Sequence, residues 1–561
     1  MAIDVRAGPD GPASNRTATD LPDEVDEGAA PHALTGWPLR LAVAGLGAAV
    51  VAGLVLRFWT RSALWLDEAL TVDIARLPLR SLHAALREDG APPLYYVLLH
   101  FWIRVFGTSD EAVRSLSGVI GVLTLPIAWF TGRRFGGRGV AAVMLALSAS
   151  APFAVYYSTE VRMYALVIAL TGCGYLALDR ALRRPRPGNL VAVALSVAAL
   201  LYAQYWSVYL VAVVGLLLAF AAWRAEGTRR RHAVGALGAV VVGVVAFVPW
   251  VPTFFFQSQH TGTPWAPPPN FAAVLNAVTG FTDNQATLSA AGSNQGRLLA
   301  LLYLLLAFLA LFGLARDRWH IDLDIRTRRP TRAMALVVVL TLTAAVAGGI
   351  AERSAFSPRY ASVVFLPLLL LVAVGTRTLA DARVRTLVVT VAVIAGLALS
   401  VENIWTQRTQ ATEVVGVLHA RAQPGDVVAY CPDQLGPAVY RLTAGSGFRQ
   451  VAFPRGNSPD LVDWIDYKAV AARADPAAFA RQLEAAAGSS HRIWLVWYPQ
   501  YEGFGTKCQA LASDLLDAPG YGGHQWVNPK PGRYYEPMEL TEFAPPPAPP
   551  SPARAAAAPA G

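Results

Sequence analysis

Charged side chains are scarce in this sequence. They make up 15% of its 561 residues, whereas a typical soluble protein carries about 25%. Hydrophobic residues account for 54% of the chain, and the mean hydropathy is +0.39. The shortage of charge, together with long apolar runs, predicts a polytopic membrane protein. The net charge of +9 does not indicate nucleic-acid binding, because many arginines stand in short clusters between apolar runs.

Cysteine is rare as well. The chain has three, and no CxxC or Cys/His spacing predicts a zinc site. Cys173 falls in an apolar run, where a small thiol acts as filler. Cys431 and Cys508 lie in a later, polar region, and they are candidates for a disulfide if that region faces an oxidising compartment. Unpaired thiols are the alternative, because a sequence gives no Cα separation.

Apolar segments that approach the 20 or so residues needed to cross a bilayer recur along the chain. Eleven are predicted as spans: Pro38–Phe58, Ala112–Thr131, Val140–Tyr157, Met163–Leu178, Leu190–Tyr202, Trp206–Trp223, Ala233–Val251, Leu298–Leu314, Ala333–Ile350, Tyr360–Val374 and Thr386–Val401. The division between Leu190–Tyr202 and Trp206–Trp223 is the one that the sequence marks least clearly.

Arginine clusters follow alternate spans, at 133–138, 180–186, 224–231, 316–332 and 377–385. The positive-inside rule then predicts a cytoplasmic N-terminus, with loops 59–111 and 253–297 and everything after Val401 outside. The scheme treats Pro92–Phe106 as a helix lying against the outer leaflet, because its 15 residues are few for a span and include Arg104. The predicted location is the plasma membrane.

The chain is predicted to divide into four regions. Residues 1–36 are acidic and poor in apolar side chains, and we expect a disordered cytoplasmic tail without a cleavable signal peptide. Residues 37–401 are the transmembrane domain, 402–544 an extracytoplasmic α/β domain, and 545–561 a disordered Pro/Ala-rich tail. Apolar runs and helical periodicity in the α/β domain predict strands at Val427–Tyr430 and Arg492–Trp497, and helices at Leu435–Leu442, Pro476–Ala486 and Lys507–Leu516.

The adjacent acids Asp67 and Glu68 are the first candidates for chemistry. Neighbouring residues do not share a face of a helix, so only one of the two is expected to point at a reacting group. Asp67 is the candidate general base for a hydroxyl or a carboxylate ligand for a divalent cation. Glu68 is a candidate for a second acid that serves a metal or an acceptor. The alternative for both is a stabilising acid at a helix N-terminus.

The segment YYSTEVRMY carries the next candidates. Glu160 and Arg162 stand at a membrane face, where charge is expensive and therefore often functional. Glu160 is a candidate second acid or metal ligand, Arg162 a candidate phosphate ligand, and Tyr164 a further site candidate. A structural Glu–Arg pair that closes a tight hairpin is the alternative.

Two further groups are weaker candidates. Arg359 and Tyr360 open a later span in the run SPRY and suit a phosphate group; interfacial anchoring is the alternative. His260 and His83, each a lone histidine in a loop, are candidates for catalysis or phosphate binding. A lone histidine in a polar loop is more often neither.

Several short motifs stand in order: LWLDEALT, PPLYYVLLHFW, FGTSDEAVRSLS, GRRFGG and APFAVYYSTEVRMYAL, followed later by SPRY. Together they resemble the GT-C class of membrane glycosyltransferases, in particular the bacterial branch similar to protein O-mannosyltransferases. The chain departs from this pattern at Ala91, where many relatives have a histidine before the Pro-Pro, and at Thr159, where a glutamine is typical.

The resemblance implies an inverting enzyme that uses a polyprenyl-phosphate sugar at the outer face of the membrane. It implies Asp67 as the base, Glu160 as the second acid and Arg359 as a phosphate ligand. Relatives differ in their need for a divalent cation, so a metal is left open. The Arg/Ala-rich, Lys-poor composition resembles that of a high-GC actinobacterium, which makes mannose the first expectation for the sugar and arabinofuranose the second. The acceptor is expected to be a glycan, a lipoglycan or a protein.

A transporter or lipid flippase is the main alternative from another class. It would be expected to show internal repeats and helices broken at mid-membrane, and the sequence shows no clear repeat. A sensor would need a cytoplasmic output domain, for which the predicted disordered tail offers no sequence.

Overall fold

The computed structural model of the protein describes residues 35–263, 268–283, 293–318, 320–326, 329–499, 501, 503–518 and 522–544. The tails predicted at 1–36 and 545–561 lie outside the described residues, except for Thr35 and Gly36.

Helices dominate the chain up to Trp405. The first ten are α1 Gly36–Leu56, α2 Leu66–Arg76, α3 Leu79–Asp89, α4 Leu94–Phe106, α5 Asp110–Ser150, α6 Pro152–Ser158, α7 Tyr164–Arg183, α8 Pro187–Ala203, α9 Ser207–Arg224 and α10 Gly227–Val245. The next six are α11 Val251–His260, α12 Ala272–Gly280, α13 Asn294–Phe312, α14 Arg329–Ala351, α15 Ser362–Gly375 and α16 Ala382–Trp405. Strands β1 Gly313–Ala315 and β2 Ile321–Leu323 form a small antiparallel hairpin.

The described residues include nine helical segments that are long and apolar enough to cross a membrane. One of them, α5, has 41 residues and is broken by non-helical backbone at Gly136 and Gly137. A positive φ of 79° at Gly137 suits a residue without a Cβ, so α5 provides two passes. The 17-residue helix α8 is apolar and lies between two of the spans, and with it the segments number eleven, as predicted. The chain is a multi-pass membrane protein.

One predicted span has the wrong end. The sequence predicts a continuous helix from Val140 to Tyr157, but α5 ends at Ser150 and α6 begins at Pro152. Proline lacks the N–H that would continue the helix, and it fits the first position of a new one. Tyr156 and Tyr157 therefore belong to a short buried helix rather than to the span.

The region after Trp405 folds as an α/β domain. Its helices are α17 Ala411–Arg421, α18 Gly436–Leu442, α19 Tyr467–Arg473, α20 Pro476–Ala487 and α21 Lys507–Asp517. Its strands are β3 Val427–Cys431, β4 Arg449–Ala452, β5 Ile493–Trp497, β6 Gly522–Val527 and β7 Glu539–Ala544. They form one sheet in the order β4-β3-β5-β7-β6, in which β3 is parallel to β4 and β5, and β7 is antiparallel to β5 and β6. The predicted fold class is confirmed: a polytopic helical membrane protein with a C-terminal α/β domain.

Helices cover both faces of this sheet. Residues of β3 and β5 alternate between two apolar clusters, one shared with α20 and α21 and the other with α17 and α18. Burial on both faces explains why both strands read as continuous apolar runs. Cys431, at the end of β3, is bonded to Cys508 of α21, with a Cα separation of 5.5 Å. The bond fixes this helix to the sheet.

The α/β domain packs directly on α2. Trp65, Leu66 and Tyr96 share a buried apolar cluster with Tyr467 and Phe504 of the domain. Polar contacts accompany this core, among them an ion pair of 3.2 Å between Arg441 and Asp110 at the start of α5. The domain therefore lies against the helix that carries the two candidate acids.

Candidate active site

The two adjacent acids point in different directions. Both lie in the first turn of α2, where a negative charge is favoured by the helix dipole. Successive helical residues are rotated by about 100°, so one carboxylate can turn inward while the other faces a cleft. The side chain of Glu68 is fully buried, and that of Asp67 is 18% exposed. Asp67 is therefore the acid within reach of a substrate.

Glu68 holds several elements together. Its two oxygens accept hydrogen bonds from the Arg114 guanidinium at 2.8 and 2.5 Å, and the amide of Val161 donates to Oε1 at 3.0 Å. The guanidinium of Arg408, which is 1% exposed, adds an ion pair at 3.3 Å. Burial by itself raises the pKa of Glu68, but the two arginines outweigh it and the net pKa is lowered. Glu68 is therefore a buried, charged side chain that connects α2 to the segments that carry Arg114, Val161 and Arg408.

Asp67 lies between two arginines from other parts of the chain. Arg359 Nη1 is 3.0 Å from Asp67 Oδ2, and Arg162 Nε is 3.9 Å from the same oxygen. Both guanidinium groups are largely buried, with side-chain exposures of 12% and 15%. The cleft thus combines one accessible carboxylate with two fixed positive charges, a set that suits a hydroxyl next to a phosphate.

Further contacts fix the position of Arg162. Its Nη1 donates to Thr71 Oγ1 at 3.0 Å and to the Tyr96 hydroxyl at 3.4 Å. Tyr96 in turn donates to Asp89 Oδ2 at 2.7 Å. The pKa of the buried Asp89 is raised, with desolvation the largest cause. This chain connects α2, α3 and α4 to the arginine that faces Asp67.

Glu160 lies behind Asp67 in the turn between α6 and α7. It is 1% exposed, and the Trp65 indole donates to its Oε1 at 3.2 Å. Its other oxygen, Oε2, makes no hydrogen bond within the described residues. Burial raises its pKa to about 7, although the Arg408 charge acts in the opposite direction. Glu160 therefore titrates near neutral pH next to the site.

The remaining aromatic candidates flank Arg359. The Tyr360 ring stacks on Trp206 with centroids 5.1 Å apart and planes within 9°. Tyr164 is buried and packs edge-on against Tyr157. These rings form an apolar wall beside the two arginines.

The two candidate histidines have other contacts. His83 Nε2 is 2.9 Å from Thr253 Oγ1, and the ring packs edge-on against Trp250. His260 pairs with Asp466 of the α/β domain at 3.0 Å and stacks on Phe256. Both therefore lie where helix α11 meets its neighbours, and not among the contacts of Asp67.

Several residues of this site were not singled out from the sequence. Arg114 stands in the motif FGTSDEAVRSLS. An arginine in the first turns of an apolar helix could have indicated a buried ion pair. Arg408 and Tyr535 come from the chain after α16. Tyr535 packs edge-on against Trp65 with centroids 4.9 Å apart. No local pattern connects these two residues to α2.

The sequence does not decide whether the site binds a divalent cation. Across the described ranges, no group of three or more His, Cys, Asp or Glu side chains has an arrangement that could hold a metal ion. The acids near Asp67 are instead paired with arginines or with an indole.

Part of the chain is similar in sequence to a known protein family. Residues 90–252 match the sequence model of the family described as dolichyl-phosphate-mannose-protein mannosyltransferase, PMT_2. This match runs from the Pro-Pro segment before α4 to the first residues of α11. Comparison with curated protein sequences gives no match.

Solved structures extend the likeness to nearly the whole chain. ArnT from Cupriavidus metallidurans in its apo state has 15% sequence identity and a TM-score of 0.55, over 90% of this chain and 98% of ArnT. The crystal structure of ArnT bound to undecaprenyl phosphate has 13% identity and a TM-score of 0.54 over the same shares. The mycobacterial arabinofuranosyltransferase AftD has 13% identity, 93% and 40% coverage and a TM-score of 0.48. The two ArnT structures show that this chain shares the ArnT fold, in agreement with its resemblance to the GT-C membrane glycosyltransferases.

Proposed function

We propose that this protein transfers a sugar from a polyprenyl-phosphate donor to a hydroxyl group of an acceptor, with inversion at the anomeric carbon. Mannose is the favoured sugar, because the matching family is described by its dolichyl-phosphate-mannose substrate. Arabinofuranose is the alternative. The ArnT structure solved with undecaprenyl phosphate supports a polyprenyl-phosphate ligand for this fold.

One observation carries the proposal: the Asp67 carboxylate lies between Arg359, at 3.0 Å, and Arg162, at 3.9 Å. The donor phosphate is a diester with one negative charge and two free oxygens, so it can accept hydrogen bonds from both guanidinium groups, and the polyprenyl phosphate that leaves carries more charge for them to bind. Donor binding would therefore draw the arginines to the phosphate. The Asp67 carboxylate would then be free to accept a hydrogen bond from the acceptor.

The transfer is a single displacement. The acceptor oxygen forms a bond to the anomeric carbon while the bond from that carbon to the phosphate oxygen breaks. Asp67 takes the proton of the attacking hydroxyl, and the polyprenyl phosphate leaves with the bonding electron pair. Arg162 and Arg359 stabilise the charge that develops on this leaving group. Attack opposite the leaving group inverts the anomeric configuration.

Two supporting roles complete the proposal. The stacked rings of Trp206 and Tyr360 would flank the first isoprenoid units of the donor, since they lie beside Arg359.

Two arginine charges are sufficient for a phosphate monoanion, so a divalent cation is not required by this scheme. Turnover that survives EDTA treatment would agree with this, and turnover that a divalent cation alone restores would oppose it.

We also propose that the α/β domain faces the outside of the cell and the N-terminus the cytoplasm. The bond between Cys431 and Cys508 supports this orientation, because structural disulfides persist in oxidising compartments. The acceptor would then be an extracytoplasmic glycan, lipoglycan or protein. Labelling of single introduced cysteines from one side of intact cells would test the orientation.

The test of the proposal is a transfer assay with the purified protein. Radiolabelled polyprenyl-phosphate mannose and arabinose are offered separately, with acceptor, to wild type and to Asp67→Asn. Loss of a general base is expected to lower turnover by about 10²- to 10⁴-fold. Arg359→Gln is expected to raise the donor KM, because it removes a charge from the phosphate position.

A matched control comes from the same helix. Asp73 lies in α2 and pairs with Arg76 at 3.8 Å, so Asp73→Asn changes a carboxylate outside the cleft. It should retain near wild-type turnover. Wild-type turnover in Asp67→Asn would refute the assigned base, and transfer of neither sugar by the wild type would favour a lipid transporter.

A further inference from the structure

Arg57 is a buried cation at the end of α1 that the proposed mechanism does not use. It is 1% exposed. Its guanidinium donates to the Gly53 carbonyl of its own helix at 2.7 Å, and to the carbonyls of Ala149 and Ser148 in α5 at 2.9 and 2.6 Å. One cation therefore binds the last carbonyls of two helices, where the helix dipoles favour a positive charge.

The two carbonyls of α5 stand at its break with α6. In an uninterrupted helix the Ser148 carbonyl would accept a hydrogen bond from the N–H of residue 152, but that residue is proline. Ala151, between the two helices, is extended, with φ −66° and ψ 126°, so the helical hydrogen bonds also stop before the Ala149 carbonyl. Arg57 thus supplies the hydrogen bonds that the break removes.

The chain is closely packed around this contact. Gly53 lies so near α5 that a Cβ would be 2.2 Å from the Ala149 carbonyl oxygen. Gly121, in the first half of α5, lies against the last residue of α6, and a Cβ there would be 2.1 Å from Ser158 Oγ and 3.4 Å from Arg57 Cδ. Arg57 is therefore packed between α1 and both halves of α5, beside α6.

Helix α6 connects the break to the candidate active site. It has seven residues, Pro152–Ser158, all of them buried, and is about 10 Å long. Arg162 follows it after a short turn, and Arg162 Nε lies 3.9 Å from Asp67 Oδ2. A rotation of α6 by about 10° at the break would move its far end by roughly 2 Å. A misplacement of about 1 Å can cost 10²-fold in rate.

A second buried arginine holds the other end of α6. Arg408 donates from Nη1 to the Thr159 carbonyl at 3.1 Å and from Nη2 to Thr159 Oγ1 at 2.7 Å. Arg408 is also paired with Glu68, whereas the hydrogen bonds of Arg57 go to backbone carbonyls. Loss of Arg57 would therefore leave the contacts of Glu68 in place and release α6 at the break.

We infer that Arg57 is a positioning residue for the donor site: it fixes the direction of α6 at the break and thereby the place of Arg162. Without Arg57, two buried carbonyls would lack a donor, and α6 would turn to let another donor or water reach them. The inference rests on the proposed function, in which Arg162 binds the phosphate of the donor. A role in stability alone is the competing explanation.

The test measures binding of a lipid phosphate separately from transfer. Undecaprenyl phosphate is titrated against wild type, Arg57→Met and Arg57→Lys in detergent, at a temperature where all three are folded. Arg57→Met should weaken this binding by about tenfold, because a displaced guanidinium no longer meets the phosphate. Arg57→Lys should recover most of the loss, because an ammonium group has donors for both carbonyls of α5. A role in stability alone would lower the apparent Tm of Arg57→Met and leave binding unchanged.

A double-mutant cycle shows whether Arg57 acts through Arg162. Arg162→Gln alone should weaken undecaprenyl-phosphate binding. Adding Arg57→Met should then cause little further loss, because the guanidinium that α6 positions is already absent. Two losses that simply multiply would mean that Arg57 acts independently of Arg162, and they would overturn the inference.

Arg61→Met is the matched control. Its guanidinium lies 3.9 Å from the centre of the Trp405 ring, so its loss removes a nearby cation without touching the break, and binding should not change. If Arg57→Met yields too little folded protein, Gly121→Ala tests the same orientation, because a Cβ there must displace Ser158 at the end of α6. Wild-type binding by Arg57→Met, or by Gly121→Ala where only that variant folds, overturns the inference.

The same titrations separate this inference from the proposed function. A wild type that binds undecaprenyl phosphate but transfers no sugar would reject the transferase, and weaker binding by Arg57→Met would still support the positioning role. Transfer by the wild type, with equal binding by Arg57→Met, would reject the positioning role alone. A wild type that does not bind undecaprenyl phosphate would overturn both.

Discussion

Replacing each of the adjacent acids Asp67 and Glu68 by its amide should have different effects. The Glu68 variant should lose stability, and the Asp67 variant should lose turnover. Glu68→Gln keeps the shape of the side chain but removes the charge that balances Arg114 and Arg408. These two guanidinium groups are 8% and 1% exposed in their side chains, and so they would remain buried without an anion. Breaking a buried ion pair in this way costs about 3–5 kcal/mol.

Asp67→Asn should behave differently. Its carboxylate is 18% exposed and its arginine partners are not fully buried, so water can compensate part of the lost charge. The expected cost is on the order of 1 kcal/mol. Turnover, in contrast, should fall by about 10²- to 10⁴-fold, because the proton acceptor is lost.

The assay compares stability and turnover in the same preparations. Thermal unfolding in detergent is followed by intrinsic fluorescence, and turnover is normalised to the monodisperse fraction from gel filtration. A loss of 3–5 kcal/mol corresponds to a decrease of roughly 3–4 °C in the apparent Tm of a chain of this size. If Glu68→Gln melts like the wild type yet loses turnover, or if Asp67→Asn stays active, the roles of the two acids are reversed.

Two more predictions follow from buried groups. The double variant Cys431→Ser, Cys508→Ser removes a disulfide that spans 77 residues of sequence, and the chain-entropy relation gives a cost of about 4 kcal/mol for that loop. Urea unfolding followed by limited proteolysis of the α/β domain should show this loss of stability. An unchanged midpoint of urea unfolding would contradict it. The pKa of Glu160 is raised by burial from 4.5 to about 7, so the folded state holds its proton more tightly and stability is lost as pH rises through this window, by up to about 3 kcal/mol. Glu160→Gln should therefore flatten the fall in apparent Tm between pH 5 and pH 8, and parallel pH profiles for the two proteins would contradict the shift.

Local pattern was enough to predict much of the membrane domain. Apolar length alone located the spans, including the pair α8 and α9, since each segment must fill the bilayer. The α/β domain was predictable where burial is two-sided, in β3 and β5, because their runs are continuously apolar. Strand β6, with the sequence GGHQWV, was missed because it is mostly exposed and gives no alternating signal.

The division of labour between Asp67 and Glu68 was only partly predictable. Helical geometry required that one acid turn away, and it could not say which. That choice is made by Arg114 and Arg408, which meet Glu68 across long stretches of chain. The tyrosines of the α/β domain were beyond sequence reasoning for the same reason, since sheet topology and not spacing brings Tyr535 onto Trp65.

The buried Arg408 has a consequence for how the protein is made. Its guanidinium reaches Glu68 and Thr159, and its carbonyl oxygen accepts from the amide of Glu536. The helix with Asp67 is synthesised long before Arg408 and Glu536, which follow it in the chain. A nascent chain that has inserted every span still lacks the charge that fixes α2 in place. The candidate active site therefore takes its final form only when the α/β domain packs on the finished membrane domain.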